Sequence, residues 1–109
     1  MNKMIKLYTQ QGDCVLEIVK LVPKEAKRIK VINKLVVLKG EGVNVHEITD
    51  VSGLEVYEQG DVMYLKTDKE VVLVHSEHGR TVLAPNKIYR RRIEREFDYE
   101  SMEARQTRD

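Results

Sequence analysis

The chain has 109 residues and a formal net charge of +1, and this length supports one domain with one hydrophobic core. It is too short for a doubly wound sheet or an eightfold β/α barrel. Valine and isoleucine number 22 against three alanines, so strand formers dominate and the best helix former is scarce. Cys14 is the only cysteine, which excludes an intrachain disulfide and a four-cysteine zinc site.

Apolar runs and turn residues alternate along the chain, as is typical of a β protein. The runs predict strands, in chain order, over residues 5–9, 14–22, 29–39, 43–49, 54–58, 61–67, 70–75, 80–84 and 88–97. The two-residue loop Gln59–Gly60 is the strongest hairpin signal, because glycine supplies the positive φ that such turns need. The tail from Asp98 is rich in helix formers.

This pattern predicts an all-β fold, either a small barrel or a two-sheet sandwich of about eight short strands. We expect a single β domain over residues 1–98 and a short helical or frayed tail over residues 99–109. The first residues contain no apolar run of signal-peptide length, and no uninterrupted apolar stretch exceeds four residues. We therefore expect no membrane span and a cytoplasmic location.

Three histidines and a glutamate are candidate metal ligands. His46 lies in one predicted strand, and His75, Glu77 and His78 lie at the end of another, where Gly79 can fold His78 back. If the two strands are neighbours, three imidazoles leave one position open for water on zinc or iron, as in a metal-dependent hydrolase. Glu77 would then act as general base or orient a ligating imidazole. The alternative is a polar loop whose histidines hydrogen-bond locally and hold no cofactor.

The near-neutral total charge hides an asymmetry along the chain. Residues 1–39 carry a net charge of +6, residues 40–79 carry −7 and residues 80–109 carry +2. A basic face for nucleic acid is one interpretation. The other is that strands of opposite charge lie side by side and neutralise each other.

The nucleic-acid interpretation has its candidate residues near the carboxyl end. Arg90 and Arg92 fall on the same face of a predicted strand, and Lys87 precedes them. Together with the basic first third of the chain, they would follow a phosphate backbone. Arg91 points to the opposite face, so the arginine run does not form one continuous basic patch.

Four motifs resemble those of a family of small uncharacterised β proteins encoded by bacteria and tailed phages. They are Gln11-Gly12-Asp13 with Val15-Leu16, Val45-His46-Glu47-Ile48 at the family's Gly-His-Ala-His, Leu73-Val74-His75-Ser76-Glu77-His78 at its Leu-Val-His-Glu-Glu-His, and Tyr89-Arg90 through Asp98 at its Tyr-Arg-Val-Arg-Arg-Gln-Arg-Glu-Tyr-Asp. The resemblance implies one constellation of His46, His75 and His78, and a location in the host cytoplasm or a virion if the chain is phage-encoded. It implies no activity. The chain departs at Asn44, where the first histidine of Gly-His-Ala-His would fall.

No catalytic signature accompanies these motifs. The chain has no Gly-x-Ser-x-Gly elbow, no P-loop and no three-glycine dinucleotide pattern, and a buried structural thiol is the default for Cys14. We therefore expect a non-enzymatic binding or structural module that docks a protein partner or associates with itself, for instance by strand addition at an exposed edge. The alternatives are the nucleic-acid-binding module and the metal-dependent hydrolase.

Overall fold

A computed structural model of the chain describes residues 7–39 and 44–92. These residues form antiparallel strands in two sheets and contain no helix, which confirms the predicted all-β fold. It follows that no helix among them is long and apolar enough to cross a bilayer. The predicted tail over residues 99–109 lies outside the described residues, as does the end of the predicted strand over 88–97.

The described residues form ten strands. They are β1 (Tyr8–Gln11), β2 (Cys14–Val19), β3 (Lys27–Ile29), β4 (Leu35–Lys39), β5 (Val45–Ile48), β6 (Leu54–Gln59), β7 (Val62–Thr67), β8 (Val71–His75), β9 (Gly79–Leu83) and β10 (Ile88–Arg92). Sheet A has the order β1-β2-β10-β7-β6-β3, and sheet B has the order β4-β5-β8-β9. The two sheets face each other across one core, so the described strands form a two-sheet sandwich.

Two tight hairpins in sheet A begin their turns with glycine. Gly12 joins β1 to β2 at φ +58°, and Gly60 joins β6 to β7 at φ +60°. Only the first central residue of each turn has a positive φ, which is the type II′ pattern that suits the twist of a hairpin. The predicted loop Gln59–Gly60 is displaced by one residue, because Gln59 still pairs with Val62 and the turn is Gly60–Asp61.

The predicted strand over residues 29–39 is wrong as a single element. Its beginning belongs to β3 in sheet A and its end belongs to β4 in sheet B. Asn33 lies between them at φ +72°, a left-handed conformation that asparagine tolerates better than most residues. The chain crosses from one sheet to the other near this position, so the alternating pattern over residues 29–39 spans parts of two strands.

Alternation along the strands places one face of each sheet in the core. The core contains Cys14, Leu16, Leu35, Val37, Ile48, Val56, Met63, Leu65, Val71, Leu73, Leu83 and Tyr89. Charged Arg91 also points inward, and it is only 8 % exposed. Its Nη1 donates to the backbone oxygen of Val37 at 2.6 Å and its Nη2 donates to that of Asp61 at 2.9 Å. Arg91 therefore ties β10 of sheet A to β4 of sheet B.

Candidate functional site

The three histidines meet at one end of sheet B. β5 pairs with β8, so His46 on β5 lies beside His75 at the end of β8, and His78 follows in the loop before β9. The ring centroids of His46 and His75 are 4.3 Å apart, those of His75 and His78 are 4.6 Å apart, and those of His46 and His78 are 6.1 Å apart. The condition that the sequence left open, that the two strands be neighbours, is met.

The β1–β2 turn of sheet A closes over these rings. A Cβ on Gly12 would clash with the imidazole of His78, and Gly12 also has a positive φ, so only glycine fits this position without strain. The next residue, Asp13, places Oδ1 2.8 Å from Nε2 of His46. We call the group of Gln11, Asp13, His46, His75 and His78 the histidine corner.

Gln11 fixes the orientation of His46. The Nε2 amide of Gln11 donates to the backbone oxygens of Leu73 at 2.9 Å and Gly79 at 3.0 Å, which leaves Oε1 to accept from Nδ1 of His46 at 2.8 Å. Nδ1 of His46 therefore carries a proton. Nε2 faces the Asp13 carboxylate, so both nitrogens of this buried ring have a hydrogen-bond partner.

The charge on Asp13 is consistent with this arrangement. The hydrogen bond from His46 lowers the pKa of the Asp13 carboxyl below its ordinary value, and this effect outweighs the opposing effect of partial burial. The Asp13 side chain remains largely exposed while His46 is almost fully buried. The contact therefore joins a solvated carboxylate of sheet A to a buried imidazole of sheet B.

His75 is held differently. Its Nδ1 accepts hydrogen bonds from the backbone N–H groups of Glu77 at 3.0 Å and His78 at 3.2 Å, so its proton lies on Nε2. Desolvation, followed by the charges of His46 and His78, lowers the pKa of His75. Glu77 is exposed, and its contact with His75 is made through its backbone.

This geometry bears on the predicted metal site. Ligation through Nε2 of His75 requires its proton to move to Nδ1, which would cost the two backbone hydrogen bonds. No group of three histidine, cysteine or acidic residues within 7–39 and 44–92 is arranged to hold a metal ion. The convergence of His46, His75 and His78 is observed, whereas a zinc or iron site with Glu77 beside it stays a prediction.

Asn44, where the chain departs from the resemblance, also lies near the histidine corner. Its Oδ1 accepts a hydrogen bond from Oγ of Ser76 at 2.7 Å, which joins the chain before β5 to the loop after β8. Asn44 and Ser76 border a cavity of about 320 Å³ that also touches His75 and Val74. This cavity connects the histidine corner to the outer face of sheet B.

The candidate nucleic-acid residues do not form one basic groove. Arg90 and Arg92 lie on the outer face of sheet A and both contact Glu17 on the neighbouring strand β2, at 2.9 Å and 3.4 Å. Lys87 is exposed in the turn before β10, where its backbone bonds to Thr67. The arginines neutralise a carboxylate across strands, and a nucleic-acid interface stays a prediction.

The outer face of sheet B is unusually apolar. Its outward positions carry five valines together with Lys39, Glu47 and Arg80, and the valines are Val36, Val45, Val72, Val74 and Val82. We call these five residues the valine face. Val82 is 56 % exposed and Val36 is 40 % exposed, while the other three are half-buried. The central row of sheet A's outer face differs, because it consists of charged residues and tyrosines: Tyr8, Glu17, Arg90, Tyr64, Tyr57 and Arg28.

Two buried residues, Gln11 and Arg91, were not identified from the sequence as links between the sheets. Gln11 lies between the predicted strands over residues 5–9 and 14–22, and the alternation predicts only that Arg91 points away from Arg90 and Arg92. Their partners lie far away in the chain, since Gln11 contacts Leu73 and Arg91 contacts Val37. No local pattern in the sequence signals such contacts.

The comparisons with known proteins agree with the expectation of an uncharacterised family. A family model described as a domain of unknown function, DUF8820, matches residues 10–93, which include all the residues of the histidine corner and of the valine face. No curated protein and no solved structure matches the chain. On the extent of the family match, the chain belongs to the DUF8820 family.

Proposed function

We propose that this protein is a non-enzymatic binding module that docks a protein partner on the outer face of sheet B. The observation that carries the proposal is the valine face. An antiparallel sheet with one solvated face ordinarily alternates apolar residues inward with polar residues outward. Here valine takes most outward positions of four adjacent strands. A contiguous exposed apolar surface rimmed by charges is typical of a protein-interaction site.

The support beneath the valine face suits docking. β5 and β8 are tied to sheet A through His46 and Gln11, so the face lies on strands that other elements hold in place. A pre-organised surface loses less conformational entropy when a partner binds. The charged groups within the face, Glu47 and Arg80, can fix the orientation of the partner. If the chain is encoded by a mobile element, as the resemblance implies, the partner would belong to the host cytoplasm or a virion.

Site-specific photo-crosslinking in native cells tests this proposal. A photoreactive residue at Val36 should yield a protein adduct of discrete mass, and a charge introduced at the most exposed valine, Val82→Glu, should abolish it. The matched control carries the photoreactive residue at Lys66, on the outer face of sheet A, and should yield no such adduct. The proposal is overturned if photoreactive residues at positions 36 and 66 give the same yield of adduct. It is also overturned if Val82→Glu leaves the adduct unchanged.

A metal-dependent hydrolase is the second candidate, because three imidazoles converge beside a carboxylate. His46 can present Nε2 to zinc or iron because Gln11 holds its Nδ1 proton, although the ion would replace the hydrogen bond that Nε2 makes with Asp13. His75 suits it less well in the described arrangement, as its Nδ1 accepts two backbone hydrogen bonds. Bound metal would stabilise the folded state by mass action. Elemental analysis of untagged protein and melting with added Zn²⁺ test this candidate, which is refuted if metal is absent and the melting temperature does not change.

A further inference from the structure

We infer that the partner on the valine face is a second copy of this chain, packed face to face about a two-fold axis that runs along β8. This inference rests on the proposed docking function and names its partner. It follows from the way in which two opposite charges flank the centre of the face.

The strand registers place the charges symmetrically. Val74 pairs with Glu47 on one side and with Arg80 on the other, so these three residues form one row across β5, β8 and β9. Adjacent strands are about 4.8 Å apart, so the two charges lie at about equal distances on opposite sides of Val74. A two-fold rotation about an axis along β8 exchanges the two sides. It places Glu47 of each copy against Arg80 of the other, and Val72 and Val74 against themselves.

Both charges are available for such a contact. Arg80 is exposed, and no ion pair or hydrogen bond of its side chain is found among the described residues. Oε1 of Glu47 is buried 3.4 Å from Nζ of Lys34 and accepts no hydrogen bond in the described part of the chain, while the Glu47 side chain as a whole is 24 % exposed. A guanidinium from a second copy would approach this carboxylate from its exposed side. The face is therefore complementary to itself in charge as well as apolar.

The size of the face sets the strength of the contact. With the axis along β8, β5 of each copy faces β9 of the other, β8 faces β8, and β4 has no strand opposite it. The three overlapping strands of about five residues cover about 14 by 17 Å, or about 240 Å² for each copy. A standard stable interface buries about 800 Å² for each partner. We therefore expect a weak dimer, whose formation is followed over a protein concentration range from about 10 μM to about 1 mM.

Sedimentation equilibrium with charge-swap variants tests the inference. Glu47→Arg alone and Arg80→Glu alone each oppose like charges across both contacts, and each should raise the dimer dissociation constant at least about tenfold. An equimolar mixture of the two single variants should recover the affinity, because the heterodimer contains two opposite-charge contacts. Recovery on mixing cannot come from a contact within one chain. Lys66→Glu, which changes a charge on the other sheet, is the matched control and should leave the dissociation constant unchanged.

The outcomes separate this inference from the docking function. Dimers that weaken in the single variants and recover on mixing support it. The inference is overturned if the chain stays monomeric at about 1 mM, or if the charge-swap variants have the same dimer dissociation constant as the wild type. If such a chain still gives a Val82-dependent adduct with a different protein, the docking function survives and only the identity of the partner is wrong. If neither dimer nor adduct forms, both fail.

Discussion

Replacing Gln11 by alanine is the most direct test of how the two sheets are held together. The Gln11 side chain is 3 % exposed and makes four hydrogen bonds that cross from sheet A to sheet B. Two of these bonds are buried, and they join the carbonyl of Leu73 and the Nδ1–H of His46. The other two, to Gly79 and Thr81, are partly buried, so water can replace them.

The magnitude follows from these partners. A buried donor or acceptor left without a hydrogen bond costs about 1–3 kcal/mol, so two of them cost about 2–6 kcal/mol. Water that enters the space left by the side chain recovers part of this, and we expect Gln11→Ala to lower the free energy of unfolding by about 3 kcal/mol. In a domain of this size the melting temperature falls by about 4–8 °C for each kcal/mol. The expected fall is therefore about 12–24 °C.

Urea denaturation followed by circular dichroism measures this free energy. The matched control is Gln10→Ala, one residue earlier on β1, whose amide is exposed and bonds only locally to the backbone of Gly12. It should change the free energy of unfolding by less than about 0.5 kcal/mol. If Gln11→Ala is as mild as Gln10→Ala, the amide of Gln11 does not hold the sheets together and the description of the histidine corner is wrong.

Further predictions concern the same region, the core thiol and nucleic acid. Gly12→Ala should destabilise the fold more than Gly60→Ala, since both turns have a positive φ but only Gly12 faces a side chain that a Cβ would strike; equal melting temperatures would contradict this. The hydrogen bond from His46 lowers the pKa of Asp13 below 3.8, its value in the unfolded chain. The hydrogen bond therefore stabilises the fold at pH values above 3.8, and this stabilisation is lost as the pH falls through the lower pKa of the folded state. The difference in unfolding free energy between wild type and Asp13→Asn should therefore shrink below about pH 5 in acid titrations, whereas a difference that grows in acid would refute the pairing. Burial raises the pKa of the Cys14 thiol to about 12, so a thiol reagent at neutral pH should modify it only as fast as the chain unfolds. Fluorescence anisotropy with labelled single- and double-stranded nucleic acid at about 50 mM salt tests the nucleic-acid hypothesis. The hypothesis is refuted if neither nucleic acid binds at this low salt concentration.

The candidate site shows where reasoning from the sequence stops. Alternation along the strand correctly placed Arg90 and Arg92 on one face, with Arg91 on the other. Their partner is Glu17, which lies on the neighbouring strand β2. Side chains alternate between the two faces of a strand with a period of two residues, so their direction can be predicted from the sequence of that strand alone. The partner depends on which strand lies alongside, and a single sequence does not show this.

The sequence by itself determined the all-β class and most strands, because strand formers, period-two alternation and glycine turns act over a few residues. It did not separate β3 from β4, since apolar and polar residues continue to alternate while the backbone changes sheets near Asn33. Only the tertiary structure decided that β5 lies beside β8, which brings His46 and His75 together, and that Gln11 reaches both strands. It also decided that the outward residues of four strands merge into the valine face. Strand order is set by the mutual burial of faces from residues far apart in the chain, and no local pattern records that pairing.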